Sequence, residues 1–350
     1  MITKSNILFY DNYNMFSVIS EFASQIEDAV RIGNEINVPS YASEFNKIII
    51  SGMGGSAIGG DLIRSYLLYD LKIPLLINRN YKLPAFADSD TLVIISSYSG
   101  QTEETISAFH DAVNKNCKII TLSSGGSISA LSQEYNCLNI RIPTGFQPRC
   151  ALAYSFFTLF ILFSKLNLYN INYKHITDTV NLINNKSANY INYQNTENIA
   201  LNIAEYLYSK IPVIYSSNDL LDSVNLRWRN QIQENAKSLC FGNFFPEMNH
   251  NELVGWQENM DFLQNLAVIY LQDREDNPKI KLRQSITKNI IAPYRAVDIE
   301  IESEGNSKLE RIFDLIYLGD WVSFYLAILY KTDPTPVEKI NILKNKLKEI

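Results

Sequence analysis

Two short stretches in the first half of the chain carry residue types suited to holding an anion. Gly52-Met53-Gly54-Gly55-Ser56-Ala57-Ile58-Gly59-Gly60 follows the apolar run Ile48-Ile49-Ile50. Ser96-Ser97-Tyr98-Ser99-Gly100-Gln101-Thr102 follows Leu92-Val93-Ile94-Ile95. Helix-compatible sequence comes after each. In a strand–turn–helix unit, small residues let the main chain approach a ligand, N–H groups point at it, and hydroxyls add donors. The candidate binding residues are Gly55, Ser56, Ser97, Ser99 and Thr102, with Gly54, Ser96 and Gly100 shaping the turns. Taken singly, the second stretch reads as an ordinary turn with Thr102 capping a helix. Two such turns at the carboxyl ends of nearby predicted strands point to one phosphate held from two sides.

The elements that must position these turns are visible as an alternation. Strand-like runs at 47–51, 73–78, 91–96, 117–122 and 138–142 are separated by helix-like stretches at 57–69, 102–115 and 127–135. That pattern predicts parallel βαβ units with helices on both faces. Residues 11–35 have helical apolar spacing, 151–168 read as a buried helix, and 169–200 as amphipathic helix with polar connectors. A second alternation follows. A strand at 211–215 ends in Ser216-Ser217-Asn218, then come a helix at 219–237, a strand at 267–271, a helix at 276–290 and a strand at 297–301. A long apolar helix at 307–330 and a short one at 337–348 close the chain. The expected fold class is α/β with two subdomains, each a mainly parallel sheet flanked by helices. Residues 1–150 hold an N-terminal helix and the first subdomain, 151–204 a helical connector, and 205–350 the second subdomain with the C-terminal helices.

The first turn also fits the dinucleotide pattern G-x-G-x-x-G/A. A nucleotide site wants an acidic residue at the end of the second strand for the ribose hydroxyls. Here that strand ends Leu75-Leu76-Ile77-Asn78-Arg79-Asn80, with no Asp or Glu. The nucleotide reading also leaves the second turn unexplained.

The pair GMGGSAIGGD and SSYSGQTEET, each after a strand, resembles the sugar isomerase (SIS) domain. Gly145-Phe146-Gln147-Pro148-Arg149-Cys150-Ala151-Leu152-Ala153-Tyr154 resembles the P-R-x-A-L-x-Y segment of the bifunctional phosphoglucose/phosphomannose isomerase family. Glu234-Asn235-Ala236-Lys237 and Pro246-Glu247-Met248-Asn249-His250-Asn251-Glu252 resemble two further segments of it. Leu318-Gly319-Asp320-Trp321 and Asp333-Pro334-Thr335-Pro336-Val337 look like its C-terminal signatures. The resemblance covers nearly the whole chain. It implies two SIS-type subdomains and an aldose–ketose isomerase that interconverts glucose 6-phosphate and mannose 6-phosphate with fructose 6-phosphate through a cis-enediol, without a metal or other cofactor.

Such chemistry needs an anchored phosphate, an acid–base pair to open the sugar ring, a base to carry a proton between C1 and C2, and a cation for the enediolate. The resemblance assigns the proton-transfer base to Glu234, ring opening to His250 and the enediolate clamp to Arg149. It points to Lys344 as a lysine that assists at the ring oxygen, with Lys339, Lys346 and Lys348 close by, and leaves Thr335 a candidate sugar contact. The matching turn positions bind substrate in the family. The matching histidine reaches a neighbouring subunit's site in related isomerases, which implies a homodimer with His250 given across the interface. Two alternatives stay open: a single-specificity SIS sugar-phosphate isomerase, and a non-catalytic sugar-phosphate sensor.

Composition narrows the rest. The chain has 350 residues, 46% of them apolar and 19% charged, with a net charge of −6. That length suits two domains, and an acidic balance without a basic cluster argues against a nucleic-acid partner. No apolar run is read as approaching the ~20 residues of a membrane helix, the nearest being Ala151 to Lys165. No secretory leader is apparent, so a cytoplasmic location is expected. The four cysteines form no CxxC pair, and with three histidines they make a zinc site improbable.

Overall fold

The computed structural model describes residues 2–42, 44–347 and 349. The chain divides into two compact units: Glu21–Asn181 with Ser307–Leu309, here called the first unit, and Met1–Ser20, Leu182–Asn306 and Glu310–Ile350, the second.

The chain begins with two short helices of the second unit, α1 (Lys4–Tyr10) and α2 (Met15–Ser20). The first unit then runs α3 (Phe22–Glu35), β1 (Lys47–Ser51), α4 (Gly54–Leu67), β2 (Leu75–Asn78), β3 (Thr91–Ser96), α5 (Glu103–Asn114), β4 (Lys118–Ser123), α6 (Gly126–Glu134), β5 (Leu138–Arg141) and α7 (Leu152–Lys165). All five strands are parallel, in the order β2-β1-β3-β4-β5. β1 and β3 are buried along almost their whole length, and both are runs of Ile, Leu and Val. Strands covered on both faces have no polar side to show, which is why they read as continuous rather than alternating apolar runs. One face packs Val93, Ile95 and Ile119 against Ala108, Phe109 and Ile128 from α5 and α6. α7 has twelve buried residues in a row, Leu152 to Phe163.

The helix α8 (Tyr173–Tyr190) leads into the second unit, which continues α9 (Ile199–Leu207), β6 (Ile211–Ser217), α10 (Asp222–Asn235), β7 (Phe241–Phe245), α11 (Met260–Leu263), β8 (Leu266–Gln272), α12 (Pro278–Ile291), β9 (Val297–Glu302), α13 (Lys308–Leu329) and α14 (Glu338–Leu347). Its four strands are parallel in the order β7-β6-β8-β9. The two sheets are therefore wound alike. In each, the first strand has the second on one side and the third on the other.

Several boundaries differ from the sequence reading for physical reasons. The first polar turn does not precede its helix. Gly54 takes φ +49° and already opens α4, so Gly55 and Ser56 sit in the first helical turn, where N–H groups have no intrahelical acceptor. α1, α9 and β7 were not expected. β7 reads Phe-Gly-Asn-Phe-Phe, and Gly and Asn are poor strand formers. It lies at a sheet edge with Phe241 half exposed, so register with β6 rather than propensity makes it a strand.

The expectation that no segment approaches membrane-spanning length is corrected by α13. Its 22 residues are long and apolar enough by length and composition. It is a core helix: Ile312, Phe313, Trp321 and Phe324 are fully buried, and Arg311, Asp314 and Asp320 break its apolar run with charges.

Candidate active site

In an open parallel sheet, ligands bind outside the carboxyl ends of the strands where the winding reverses. In the first unit that point lies between β1 and β3, and the two polar turns are the segments that leave it. They are stitched together. Ser96 Oγ donates to the Ser56 carbonyl at 2.9 Å, and the Tyr98 N–H donates to Ser56 Oγ at 2.9 Å. Ser97 Oγ lies 3.3 Å from Thr102 Oγ1, and the Gln101 N–H donates to Ser99 Oγ at 3.2 Å. Thr102 is the residue before α5, yet its hydroxyl caps nothing. It faces Ser97 instead. The N–H groups of Gly54, Gly55, Ser99 and Thr102 have no acceptor among the described residues. Donors from two turns with no protein partner are what a phosphate requires.

Arg149 belongs to this edge. It sits in a 3-10 turn, Pro148–Cys150, and is buried. The loop before it is pinned by the Phe146 N–H donating to Tyr98 Oη at 2.9 Å, so the second turn also fixes the arginine segment. Gly55 explains the contact on the other side. A Cβ there would stand 2.7 Å from the Pro148 carbonyl carbon and 2.8 Å from the Arg149 nitrogen. Only glycine lets α4 start against that backbone. Gly55, Ser56, Ser97, Ser99, Thr102 and Arg149 are thus gathered at one sheet edge.

The same edge of the second unit has a different chemistry. The turn after β6 and the one after β8 carry Asp219, Asp273 and Asp276. Burial pulls the Asp273 carboxyl up, but the Arg311 guanidinium at 2.8 Å and the Ser303 hydroxyl at 2.6 Å outweigh it and hold it below the usual carboxylate range. Its contribution to stability is therefore present at pH values above that range and lost as pH falls into it. Burial raises the Asp276 carboxyl. Here the polar groups are taken up by one another, Asp273 by Arg311 and Ser303 and Asp276 by the Asp273 N–H, whereas the turns of the first edge leave N–H donors open among the described residues.

The second unit instead holds the predicted acid–base residues. Glu234 lies in the last turn of α10 and is half-buried. The helix is fixed along its length to α13: Arg227 pairs with Asp320 at 2.7 Å, Gln231 donates to the other Asp320 oxygen at 2.9 Å, and Asn235 donates to Ser323 Oγ at 2.9 Å. Trp228 Nε1 donates to the Leu315 carbonyl at 2.8 Å. Residues 227, 231 and 235 share one face at helical spacing. Gly319 makes the approach possible, since a Cβ there would stand 2.4 Å from the Trp228 nitrogen. Asp320 and Gly319 were recognisable only as a motif; the structure gives them the task of holding the helix that carries Glu234. Lys237, from the same motif, donates to the Pro334 carbonyl at 3.1 Å and so ties the end of α10 to the chain entering α14.

His250 ends a 3-10 turn, Glu247–His250, and is exposed. Its neighbours are tied down. Asn249 donates to Thr287 Oγ1 at 2.8 Å, and Asn251 donates to Glu247 at 2.7 Å. Glu252 accepts from Asn243 at 2.7 Å and from the Tyr215 hydroxyl, to which Trp256 donates at 3.0 Å. Tyr215, Asn243 and Trp256 were missed as site residues; they fix the loop that carries the exposed imidazole. Thr335 is buried, with its N–H on Asp333 at 2.9 Å. Lys339, Lys344 and Lys346 are exposed on α14, and Lys348 lies outside the described residues. No cluster of three His, Cys, Asp or Glu residues suited to a metal occurs among the described residues.

Residues 196–347 match the family model described as "Bacterial phospho-glucose isomerase C-terminal SIS domain". The chain is 44% identical over 337 residues, 96% of its length and 99% of the relative's, to a bifunctional phosphoglucose/phosphomannose isomerase of Caldicellulosiruptor bescii. It is 36% identical to one of Aquifex aeolicus, over 96% of this chain and 98% of that one. Among solved structures, the C-terminal domain of glucosamine-fructose-6-phosphate aminotransferase from Francisella tularensis superposes with a TM-score of 0.69 over 96% of this chain and all of that one. At 16% identity this likeness concerns the fold alone. Near-complete coverage at such identity, on a fold of two like-wound parallel sheets, makes this chain a member of the bifunctional phosphoglucose/phosphomannose isomerase family.

Proposed function

We propose that this protein interconverts glucose 6-phosphate and mannose 6-phosphate with fructose 6-phosphate. The observation that carries the reading is the β1/β3 edge, where unpaired N–H groups, the Ser97 and Thr102 hydroxyls and Arg149 meet, in a chain of this family. The phosphate binds at the two turns. His250 passes a proton from the C1 hydroxyl to the ring oxygen, assisted by Lys344, and opens the ring. Glu234 removes the C2 proton and returns it to C1, while a proton moves from O2 to O1. Arg149 balances the charge of the enediolate between these steps; its guanidinium stays ionised and engages two oxygens. Proton removal from either C2 epimer gives the same enediol, so one base serves both aldoses. No step calls for a metal. The four free thiols suit a reducing compartment, in keeping with a cytoplasmic location. A homodimer, with His250 serving the neighbouring copy, completes the reading.

Mannose 6-phosphate is the discriminating substrate. The protein should produce fructose 6-phosphate from it as well as from glucose 6-phosphate, with rates unchanged after EDTA treatment. Conversion of glucose 6-phosphate alone would leave a single-specificity isomerase. No conversion of either, with binding retained, would leave a sensor. The anchoring turns have their own test. Ser97→Ala combined with Thr102→Ala removes two donors to an ionised ligand, each worth about 1.5–3 kcal/mol. KM should rise by roughly 100-fold or more while kcat changes much less. An equal fall in kcat at unchanged KM would place these hydroxyls at the reacting carbons instead.

A further inference from the structure

Just past its end, a helix commonly turns through the left-handed backbone region, where glycine and asparagine are at ease and other residues are strained. α5, α6 and α7 make that turn at Asn116, Asn136 and Asn167, with φ +55°, +51° and +58°. α10 makes it at Lys237, with φ +55°. The lysine side chain answers the strain. Its ammonium donates to the Glu234 carbonyl and, at 3.1 Å, to the Pro334 carbonyl. One cation thus joins the main chain of the candidate base to a segment 97 residues beyond the lysine. Lys331, after α13, has the same conformation at φ +57°, but its ammonium has no partner among the described residues. The bridge therefore belongs to Lys237 and not to the turn as such.

The far end of the bridge is stiff. Pro334 and Pro336 fix their own φ and disfavour a helical conformation at Asp333 and Thr335. One Asp333 oxygen accepts from the Thr335 N–H at 2.9 Å, and the other accepts from Asn12 Nδ2 at 2.9 Å. Asn12 lies in the turn between α1 and α2, and Phe16 of α2 sets its ring edge-on against Trp321 and Phe324 of α13. Pro334 and Thr335 are buried. So α10 is held twice. Asp320, Ser323 and the Leu315 carbonyl hold it along its length. Lys237 holds its end, and does so through the carbonyl of Glu234 itself.

We propose that Lys237 is a positioning residue for the isomerisation: its ammonium locks the Glu234 main chain to the Asp333–Pro336 segment and so fixes where the base stands. The role of Glu234 rests on the isomerase reading, and the lock rests on the geometry alone. The proposal accounts for a lysine where the backbone favours glycine. It also gives the segment Asp333-Pro334-Thr335-Pro336 a task beyond the candidate sugar contact of Thr335, as the buttress for the end of α10.

Lys237→Gly and Lys237→Ala both remove the ammonium, but only glycine relieves the left-handed backbone. If the lysine served stability alone, activity would follow stability. The lock predicts that the two part. Both variants should lose kcat by about 10- to 100-fold with KM nearly unchanged, the effect of a displaced catalytic group. Lys237→Gly should nevertheless unfold at a higher urea concentration than Lys237→Ala. Lys331→Gly calibrates the backbone effect: it should raise the urea midpoint and leave kcat as it is. Lys237→Arg keeps donors for both carbonyls and should retain most of kcat. Wild-type kcat in the glycine or alanine variant, a kcat that recovers from alanine to glycine in step with stability, or an arginine variant as impaired as the alanine one would each overturn the proposal. Glu234→Gln is measured beside them. Turnover kept by Glu234→Gln would remove the base reading itself, whereas turnover lost there and kept in Lys237→Gly would remove the lock alone.

Discussion

Glu234→Gln should remove isomerisation of both glucose 6-phosphate and mannose 6-phosphate while leaving sugar-phosphate binding close to that of the wild type. The substitution keeps the side chain's size and its place at the end of α10, and the helix keeps its bonds from Arg227, Gln231 and Asn235 to α13. What it removes is the capacity to take up a proton. General base catalysis of this kind contributes about 10²–10⁴-fold, so kcat should fall by that range or more at nearly constant KM. Both substrates must suffer alike, since both epimers lose the same C2 proton. Steady-state rates with each aldose, beside the affinity for a sugar phosphate that does not turn over, give the answer. Turnover within tenfold of the wild type would take the base assignment away from Glu234. A loss confined to one aldose would show that two different bases serve the two substrates.

The anchoring edge was legible in the sequence only in part. β3, Thr91–Ser96, was read with its true bounds, and β1 likewise, because strands buried on both faces announce themselves as unbroken aliphatic runs. The strand order was not readable, and it is what matters. Only with β1 flanked by β2 and β3 do the two turns fall at one switch point. Ser97 and Thr102 were identified from residue type, but the bond between their hydroxyls depends on the fold of the turn and not on spacing. Arg149 was placed near the edge by its position after β5; the Tyr98 bond that fixes its loop spans 48 residues. Long-range partners of this kind leave no periodic trace. The second unit makes the same point by contrast. Ser216-Ser217-Asn218 looks like a third polar turn, but the fold makes Ser216 and Ser217 the end of β6 and places beside them Asp276 and the Asp273–Arg311 pair, whose polar groups are engaged with one another.

Asp320→Ala should be the most destabilising change among the residues that hold Glu234. The carboxylate is buried, with Arg227 on one oxygen and Gln231 on the other. Burial pulls its pKa up while Arg227 and Gln231 pull it down, as expected where two charges are taken out of water together. Removing one partner leaves the Arg227 guanidinium buried without its counter-charge, a loss of about 3–5 kcal/mol. Urea unfolding should report that as a large fall in the midpoint. Replacing the pair together, Arg227→Met with Asp320→Leu, removes both charges and keeps an apolar contact of similar volume, so most of the stability should return. Activity separates holding the helix from mere stability. Asp320→Leu also takes the acceptor of Gln231, so Asn235 on Ser323 and Trp228 on the Leu315 carbonyl are what remains of these bonds between α10 and α13. The double variant should fold yet lose kcat, because Glu234 no longer sits on a helix fixed through Asp320. A double variant with wild-type kcat would mean that Trp228, seated over Gly319 with its nitrogen on the Leu315 carbonyl, positions α10 by itself.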